Sequence, residues 1–367
     1  MKVVIAIDSF KGCLSSREVV QSAAEGVTQR WPQAEVIEVP ISDGGEGLCE
    51  TVTESMQGTL INIPVHGPLM EPMVAQYGIS GDGTTAIFEM SACCGLPLVP
   101  IERRNPELTT TYGLGEMIRD AYQRGCRKFI MGIGGSATND AGIGMLEALG
   151  ATIINQGDKV TACGKMLSQI ASIDVSRVEK DFWDCEFLVA CDVQNLLCGP
   201  QGAAYVFAPQ KGADASMVER LDAGLEHLLR LTGNVTLPGD GAAGGLGYAL
   251  RRFLHARLTP GIELCLSLLH FDEKLQDADL VITGEGQCDR QTLMGKAPYG
   301  VLKHTRSVCQ SKARVCLLCG SVADVELLQS AGFDVVRSIN THDTRPLSVL
   351  MRPDVARENM IATISQL

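Results

Sequence analysis

Glycine- and carboxylate-rich loops follow apolar runs at four places in this chain, at residues 8–12, 42–47, 132–140 and 284–289. Glycines allow backbone N–H groups to approach phosphate oxygens closely, and a helix that begins just after such a loop adds its positive end. Carboxylates on these loops can hold Mg²⁺, which takes only one or two of them from a protein. The four loops therefore predict an enzyme that handles a phosphorylated small molecule.

The same residue types also have a purely structural explanation. Turns between strands and helices use Gly, Asp, Ser and Asn for their geometry alone. One such loop would say little about function, whereas four of them, each with an acidic residue, favour a phosphate-handling site. Residues 202–212, which we predict to be a strand running into a tight Pro-Gln-Lys-Gly loop, have the same two explanations. Lys211 either reaches a phosphate or lies on a surface turn.

Two standard nucleotide-binding motifs are missing or weak. The chain has no G-x-x-x-x-G-K-[ST] sequence, which argues against a Walker-type NTPase. Residues 132–137 loosely match the dinucleotide-binding pattern, but that pattern needs an acidic residue at the end of the next strand. The next predicted strand, ATIINQ, ends in Asn155 and Gln156 instead. A nicotinamide-dependent dehydrogenase is therefore disfavoured.

Two further clusters are better explained by structure than by chemistry. Arg251 and Arg252 form a small basic pair, which is more often a solvated helix face than an anion site. Cys316 and Cys319 lie in an apolar run that is typical of a strand. We expect both thiols to be small buried hydrophobic groups rather than a metal or redox site.

The composition excludes several classes of partner. The formal net charge is -12, so the chain has no bulk attraction for nucleic acid or for anionic membranes. No run approaches the roughly 18 apolar residues of a membrane span. The 14 cysteines without an export signal indicate free thiols in a reducing compartment. We therefore expect a cytoplasmic protein that binds neither membranes nor nucleic acid.

The elements that must position the loops follow a strand–helix–strand order. Residues 3–8 and 35–41 are typical of buried strands, and a helix between them is predicted to start at Ser15-Ser16 and to end before Pro32. Parallel strands joined by helices indicate a doubly wound sheet. Further strands of the same kind are predicted at 127–135, 278–286, 313–321 and 333–339.

These strands indicate an α/β protein with a parallel sheet of the Rossmann or flavodoxin type. Residues 61–91 alternate polar and apolar side chains and contain an SGDGT turn, which predicts a β-hairpin. The chain would then hold a discontinuous open-sheet domain with a mixed α/β domain inserted into it. We place the open-sheet domain at residues 1–62, 106–148 and 260–367, and the inserted domain at residues 63–105 and 149–259.

Seven short motifs resemble the bacterial glycerate kinase family that includes the enzymes of the glyoxylate and glucarate pathways. A single match would be weak, but these occur in family order over nearly the whole chain. The matching motifs lie at 8–12, 43–47, 133–140, 209–213, 241–247, 281–286 and 291–298.

The resemblance implies ATP-dependent phosphorylation of D-glycerate, with Mg²⁺ as the metal. The product in this family is usually 2-phosphoglycerate, although related enzymes form 3-phosphoglycerate. It also implies two α/β domains with the active site in the cleft between them, and a homodimer is compatible with it. Two other classes stay open on the sequence, a sugar-acid-binding sensor without catalysis and the disfavoured NAD-dependent dehydrogenase.

Residue chemistry and loop position then predict a role for each candidate residue. Asp192 would orient or deprotonate the glycerate hydroxyl. Lys11 and Lys296 would neutralise phosphate or carboxylate charge, and Asp43, Asp289 or both would hold Mg²⁺. The residues predicted to approach the nucleotide phosphates are Gly134, Gly135, Ser136, Gly284, Glu285 and Gly286.

Overall fold

The computed structural model describes residues 1–155, 158–159, 162–310 and 312–367. Its strands are, in chain order, β1 Lys2–Ile7, β2 Glu35–Glu38, β3 Thr59–His66, β4 Pro72–Ile79, β5 Thr85–Glu89, β6 Lys128–Gly132, β7 Thr152–Asn155, β8 Asp158–Lys159, β9 Ser172–Asp174, β10 Glu186–Ala190, β11 Arg257–Thr259, β12 Leu280–Gly284, β13 Gln287–Cys288, β14 Arg314–Cys319, β15 Ser321–Val322 and β16 Val335–Ser338.

The α-helices are α1 Ser16–Arg30, α2 Leu48–Ser55, α3 Ser91–Cys94, α4 Tyr112–Gln123, α5 Ile143–Leu149, α6 Ser176–Phe182, α7 Ala203–Phe207, α8 Ala215–Leu231, α9 Ala242–Leu254, α10 Gly261–Leu268, α11 Phe271–Lys274, α12 Ala297–Val308, α13 Val325–Ser330, α14 Leu347–Leu350 and α15 Pro353–Ile364. Short 3-10 helices lie at Leu96–Leu98, Ile101–Arg103, Gly164–Gln169, Pro209–Lys211 and Arg290–Met294. None of the helices in these ranges is long and apolar enough to cross a membrane.

The described chain divides into two compact units. Unit 1 comprises Met1–Asp43 and Gly261–Leu367, and unit 2 comprises Gly44–Pro260. The division differs from the predicted domains, because residues 44–62 and 106–148 lie in unit 2 rather than with the first strands. The strand β6 explains the difference, since it pairs with β5 and β10 in the sheet of unit 2. An apolar run shows that a strand is buried, but it does not show which sheet contains it.

Unit 1 contains a parallel sheet whose described strands have the order β16-β14-β12-β1-β2. The strand β1 lies between β12 and β2, and residues 3–7 are completely buried. Burial on both faces accounts for the continuous apolar run, as expected for a parallel sheet covered by helices. The predicted parallel strands at 3–8, 35–41, 278–286, 313–321 and 333–339 are thus confirmed as members of this one sheet.

The helix α1 begins where the sequence predicts. The hydroxyl of Ser15 accepts from the backbone N–H of Glu18, and the Glu18 carboxylate accepts from the backbone N–H of Ser15. This capping box satisfies two of the N–H groups that a helix start leaves without partners. The apolar face of α1 then packs on the sheet through Val19, Val20 and Val27.

Unit 2 contains a larger mixed sheet, with the described strands in the order β11-β10-β6-β5-β4-β3. Its strands β3, β4 and β5 are antiparallel, which confirms the hairpin predicted from the SGDGT turn. The strands β5, β6, β10 and β11 are parallel. Stacked rings of Phe88, Phe129 and Phe187 link three neighbouring strands, with centroid separations of 6.2 and 4.7 Å.

Two local predictions in unit 2 are wrong. Residues 203–207 form the helix α7 rather than a strand, and the 3-10 turn Pro209–Lys211 follows it. Arg251 is not a solvated side chain, because its guanidinium forms two hydrogen bonds of 2.7 Å with the fully buried carboxylate of Asp240. Both errors arise because a short sequence pattern does not record the distant residues that pack on it.

Candidate active site

The carboxyl ends of β1 and β12 lie side by side in unit 1. Ile7 pairs with Gly284, and the backbone N–H of Asp8 donates to the Gly284 carbonyl at 3.0 Å. The loops 8–12 and 284–289 therefore start at the same edge of the sheet, where open α/β sheets bind ligands. A Cβ on Gly284 would lie 1.8 Å from the Leu318 carbonyl oxygen, so glycine is required for the close approach of β14.

Asp8 is a buried carboxylate at this edge, and the sequence analysis gave it no role. Its side chain is 3% exposed, and the Ser9 N–H donates to its Oδ1 at 2.7 Å. Burial and then the negative charge of Asp43 raise the pKa of Asp8 to about 7, with a smaller contribution from Glu285. The Ser9 hydrogen bond and the charge of Lys11 act in the opposite direction. Asp8 therefore keeps its proton to a higher pH than an ordinary aspartate does.

Each predicted cation of unit 1 lies beside a carboxylate. The Lys11 Nζ is 3.7 Å from Asp43 Oδ2, and the Lys296 Nζ is 3.4 Å from Glu285 Oε2. The other oxygen of Glu285 accepts from the Thr292 hydroxyl at 2.8 Å. Burial raises the pKa of Glu285, and the contacts with Thr292 and Lys296 partly offset that effect. The structure therefore brings four of the predicted site residues together in pairs within one unit.

Two other predicted residues of unit 1 have clear structural surroundings. A Cβ on Gly286 would lie 3.5 Å from the Phe10 Cα, so the loops after β12 and β1 are in contact. Asp289 begins the 3-10 helix Arg290–Met294, where its Oδ1 accepts from the Gln291 N–H at 2.7 Å. Helix capping therefore accounts for an aspartate at this position, and its role in metal binding stays a prediction.

The donor set of unit 1 suits Mg²⁺ in its chemistry. Asp8, Asp43 and Glu285 offer carboxylate oxygens, which are the hard ligands that Mg²⁺ prefers. Over the described part of the chain, no group of three or more His, Cys, Asp or Glu residues is arranged to hold a metal ion. A magnesium ion that is shared with substrate phosphates needs only one or two protein carboxylates.

A second set of predicted residues lies at one edge of the sheet of unit 2. Gly132, at the end of β6, pairs with Glu89 of β5 and with Ala190 of β10. Asp192 is an exposed residue just beyond Ala190, and the loop with Gly134 begins just beyond Gly132. The loop 134–136 and Asp192 therefore follow neighbouring parallel strands at the same edge.

The loop 134–136 is held in a tight, defined conformation. Gly135 has a φ of +73°, which favours glycine, and its carbonyl accepts from the Leu96 N–H at 2.9 Å. The Ala137 N–H donates to the Cys94 carbonyl at 2.8 Å. A Cβ on Gly132 would lie 2.5 Å from the Gly44 carbonyl oxygen, so the segment after Asp43 passes directly over this strand end.

Lys211 contacts this loop from inside the protein. Its side chain is 2% exposed, and its Nζ donates to the Ser136 Oγ at 2.8 Å and to the Thr138 carbonyl at 2.7 Å. The surface-turn explanation of Lys211 is therefore wrong. Burial lowers the pKa of Lys211 to about 7, against the opposing charge of Asp140.

The end of the same loop is fixed by Asp140, which is fully buried. Its Oδ2 accepts from the Thr111 N–H at 2.8 Å and from the Thr111 hydroxyl at 2.9 Å. Burial raises the pKa of Asp140, and these hydrogen bonds reduce the effect. The neighbouring Asn139 side chain and the Thr138 hydroxyl are buried without a hydrogen-bond partner among the described residues. Unsatisfied buried polar groups are costly, so each calls for an explanation, such as a bound water or a role in catalysis.

The structure also weakens the dehydrogenase alternative. The strand β7 pairs antiparallel with β8 and β9 in a separate small sheet, so it does not continue a parallel dinucleotide-binding unit. Asn155 ends β7, and Gln156 lies outside the described residues.

Sequence reasoning assigned no role to Asp8 or Asp140 and left Lys211 open. Asp8 had a usable signal, since it is the first polar residue after a wholly apolar strand. Asp140 follows a glycine-rich strand end in the same way. Lys211 had no such signal, because its partners lie 75 and 73 positions earlier in the chain.

Comparisons with known proteins identify the family of this chain. The sequence model of the glycerate kinase family matches residues 3–367. A glycerate kinase of Bacillus subtilis (strain 168) is 44% identical over 92% of this chain and 90% of its own length. A glycerate 2-kinase of Escherichia coli (strain K12) is 43% identical over 93% of this chain and 91% of its own length.

A solved structure is similar as well. The crystal structure of a candidate glycerate kinase 2 from Salmonella typhimurium LT2 is 43% identical, with a TM-score of 0.89, and it covers 100% of this chain and 96% of that one. The mixed α/β fold with parallel sheets is therefore shared with that Salmonella protein. With a family match across nearly the whole sequence, this chain belongs to the glycerate kinase family.

Proposed function

We propose that this chain transfers the γ-phosphoryl group of ATP to D-glycerate and forms 2-phosphoglycerate. The observation that carries the proposal is the edge of the unit 1 sheet, where Lys11 and Lys296 lie beside Asp43 and Glu285. Phosphoryl transfer needs positioning and charge neutralisation more than covalent chemistry, and such pairs of cations and carboxylates can supply both. The E. coli relative named glycerate 2-kinase supports the choice of acceptor and of the 2-position.

In the proposed reaction the 2-hydroxyl oxygen of glycerate attacks the γ-phosphorus, and the oxygen that bridges the β- and γ-phosphorus atoms leaves with ADP. Asp192 accepts the hydroxyl proton, which is the role of the carboxylate that orients the acceptor in other kinases. Its exposure and its position at the strand edge beside the loop 134–136 support this assignment. Lys11 and Lys296 neutralise negative charge on the phosphates or on the glycerate carboxylate.

The nucleotide phosphates are assigned to two glycine-rich loops. Gly134, Gly135 and Ser136 form one, and Gly284, Glu285 and Gly286 form the other. Each follows a parallel strand directly, and each contains backbone that a Cβ would obstruct or strain. Close approach of backbone N–H groups is what phosphate binding needs.

Magnesium is proposed as the metal, with Asp43 as the leading ligand. Asp8 and Glu285 add carboxylate character to the same edge, whereas Asp289 uses one oxygen to cap a helix. The bound ion would neutralise charge on the phosphate oxygens as the terminal phosphoryl group is transferred.

The reducing cytoplasm is the proposed location, and it agrees with the state of the thiols. Each of the 14 cysteines is a free thiol in the structure, and all of them lie in the described ranges. Cys316 and Cys319 are completely buried, as predicted for small hydrophobic groups in a strand.

A coupled assay of ADP release tests the proposal. Purified enzyme with ATP, Mg²⁺ and D-glycerate should release ADP, and L-glycerate should serve as the matched control acceptor. Phosphorus NMR of the product should show the phosphate on carbon 2. Binding of D-glycerate without ADP release would instead favour a sensor, and phosphate on carbon 3 would correct the position. A fluorescence titration with NADH that shows no binding disposes of the dehydrogenase.

A further inference from the structure

Lys211 is the buried cation that directly supports the loop 134–136 of unit 2. Its Nζ reaches the loop at two points, the hydroxyl of Ser136 and the carbonyl of Thr138. The lysine itself ends the 3-10 turn Pro209–Lys211, which continues into Gly212 with a φ of +99°. The contact therefore joins two segments that are far apart in the chain, and both are tightly turned.

Burying an amine in this way costs free energy. Over the part of the chain that the structure describes, both hydrogen-bond partners of the Lys211 Nζ are neutral oxygens, and Asp140 acts on it only through its charge. Taking an amine out of water without an ion pair is costly. The contacts that offset this cost are the two hydrogen bonds with which the amine holds the loop.

The geometry suits a lysine in either protonation state. A neutral amine has two N–H donors, and the ammonium ion has three. The two acceptors on the loop can thus be satisfied before and after the proton is lost. Lys211 can hold the loop over the whole range in which its charge changes.

Lys211 adds side-chain hydrogen bonds to a segment in which neighbouring polar groups have no partner in the described part of the chain. The Thr138 hydroxyl and both polar atoms of the Asn139 side chain are buried with no hydrogen-bond partner among the described residues. On the other side of the loop, the carbonyl of Gly135 accepts from Leu96, and the N–H of Ala137 donates to Cys94. Lys211 supplies the side-chain hydrogen bonds to Ser136 and Thr138 from within the core.

We propose that Lys211 is a positioning residue for phosphoryl transfer, acting through Ser136 and the Thr138 carbonyl to fix the loop 134–136 against the nucleotide phosphates. The inference rests on the proposed function, in which this loop meets the nucleotide. Lys211 does not touch the reacting atoms. It holds the backbone that does, and small displacements of such groups are costly to catalysis.

A double-mutant cycle of Lys211→Met and Ser136→Ala tests the inference. Lys211→Met should lower kcat/KM for ATP by about 100-fold, while KM for D-glycerate changes by less than about threefold. Ser136→Ala should add little to the Lys211→Met variant, because the two residues act through one contact. If Lys211→Met shows no cooperative unfolding transition, Lys211→Gln, which retains N–H donors, enters the same cycle.

The matched control is Leu228→Ala in helix α8 of the same unit. Leu228 is fully buried and apolar, so the variant loses stability without removing a hydrogen bond from the loop. Ser136→Ala should have its full effect on kcat/KM in the Leu228→Ala background.

Additive effects of Lys211→Met and Ser136→Ala, or a change confined to KM for D-glycerate, would overturn the inference. An active wild type with an equally active Lys211→Met variant overturns the inference alone, whereas an inactive wild type overturns the proposed function with it.

Discussion

The Lys296 Nζ lies 3.4 Å from Glu285 Oε2 in unit 1, although the two residues were predicted to have separate roles. The pair is partly shielded, with the side chains 35% and 11% exposed. Thr292 holds the second oxygen of Glu285, so the carboxylate is fixed on both sides. Lys296 precedes helix α12, whose N-terminal end adds positive potential at the same place. Glu285 therefore orients a cation at a point that already favours anions.

Removing the Lys296 charge is expected to impair catalysis strongly. Lys296→Met should lower kcat/KM by about 10²–10³, since one preorganised charge contact to a phosphate in the transition state is lost. The coupled ADP-release assay measures this directly. Lys303→Met on helix α12 is the control, because Lys303 pairs with Glu263 at 2.7 Å and is 47% exposed. Equal activity of the two variants would exclude a role for Lys296 at the phosphates.

Asp192→Asn tests the proposed base. The variant keeps the size of the side chain and removes its ability to accept a proton, so kcat should fall by about 10²–10⁴. Stopped-flow measurement of the phosphoryl-transfer step is the appropriate assay. Asp184→Asn is the control, since Asp184 is 72% exposed and lies before β10. Turnover near that of wild type in Asp192→Asn would rule out the role as base.

The buried pair of Arg251 and Asp240 gives a prediction about stability. Asp240 is completely buried, and it forms two hydrogen bonds of 2.7 Å with Arg251. Arg251→Met leaves the buried Asp240 carboxylate without its partner and should lower the free energy of unfolding by about 3–5 kcal/mol. Urea denaturation measures the change. Arg230→Met, which removes a pair with Glu226 on an exposed helix face, should cost less than about 1 kcal/mol. Similar losses in both variants would contradict the argument.

Elements with a local cause could be predicted from the sequence. The capping box of Ser15 and Glu18 fixed the start of α1, and the SGDGT turn fixed the hairpin of β4 and β5. The inner strands of unit 1, β1, β12 and β14, were recognisable because they are buried on both faces and therefore almost continuously apolar. The loops after them could be located for the same reason.

Features with a distant cause could not be predicted. The strand β6 has the same apolar pattern as β12, and only its pairing with β5 and β10 places it in unit 2. Lys211 resembled a surface lysine because a short Pro-Gln-Lys-Gly segment contains no record of Ser136. Arg251 was predicted wrongly for the same reason. Its partner Asp240 lies 11 residues earlier, before the kink at the start of α9. Long-range packing decided each of these cases.

The pair of acidic residues around His304 predicts a pH-dependent stability of unit 1. The His304 Nδ1 lies 2.6 Å from Asp272 Oδ1, and the His304 Nε2 lies 3.0 Å from Glu263 Oε2. Burial lowers the pKa of His304, but the hydrogen bonds and charges of the two carboxylates outweigh it and raise the pKa above its ordinary value. The stabilisation is therefore complete below about pH 6.5, the unfolded value, and is lost as pH rises through the folded pKa.

His304→Gln should accordingly lose more stability relative to wild type at about pH 6 than at about pH 9. Thermal or urea unfolding at the two pH values measures the difference. His255→Gln serves as the control, because His255 is exposed and makes no ion pair among the described residues. A larger loss for His304→Gln at the higher pH would show that the sign is wrong.

For the buried amine of Lys211 we expect the opposite pH dependence of the free energy of unfolding. Burial lowers the pKa of its amine to about 7 in the folded protein, whereas an unfolded lysine titrates near about 10.4. Between these values the unfolded chain binds more protons than the folded one, so the free energy of unfolding should rise with pH, by at most about 1.4 kcal/mol per pH unit.

Lys211→Met lacks this group. The stability of wild type minus that of Lys211→Met, measured by urea denaturation, should therefore increase from about pH 7 to about pH 10. Leu228→Ala, which removes no titratable group from the same unit, should keep a constant difference from wild type over the same range. A difference for Lys211→Met that is flat, or that falls with pH, would show that the buried amine keeps its proton as an ordinary lysine does.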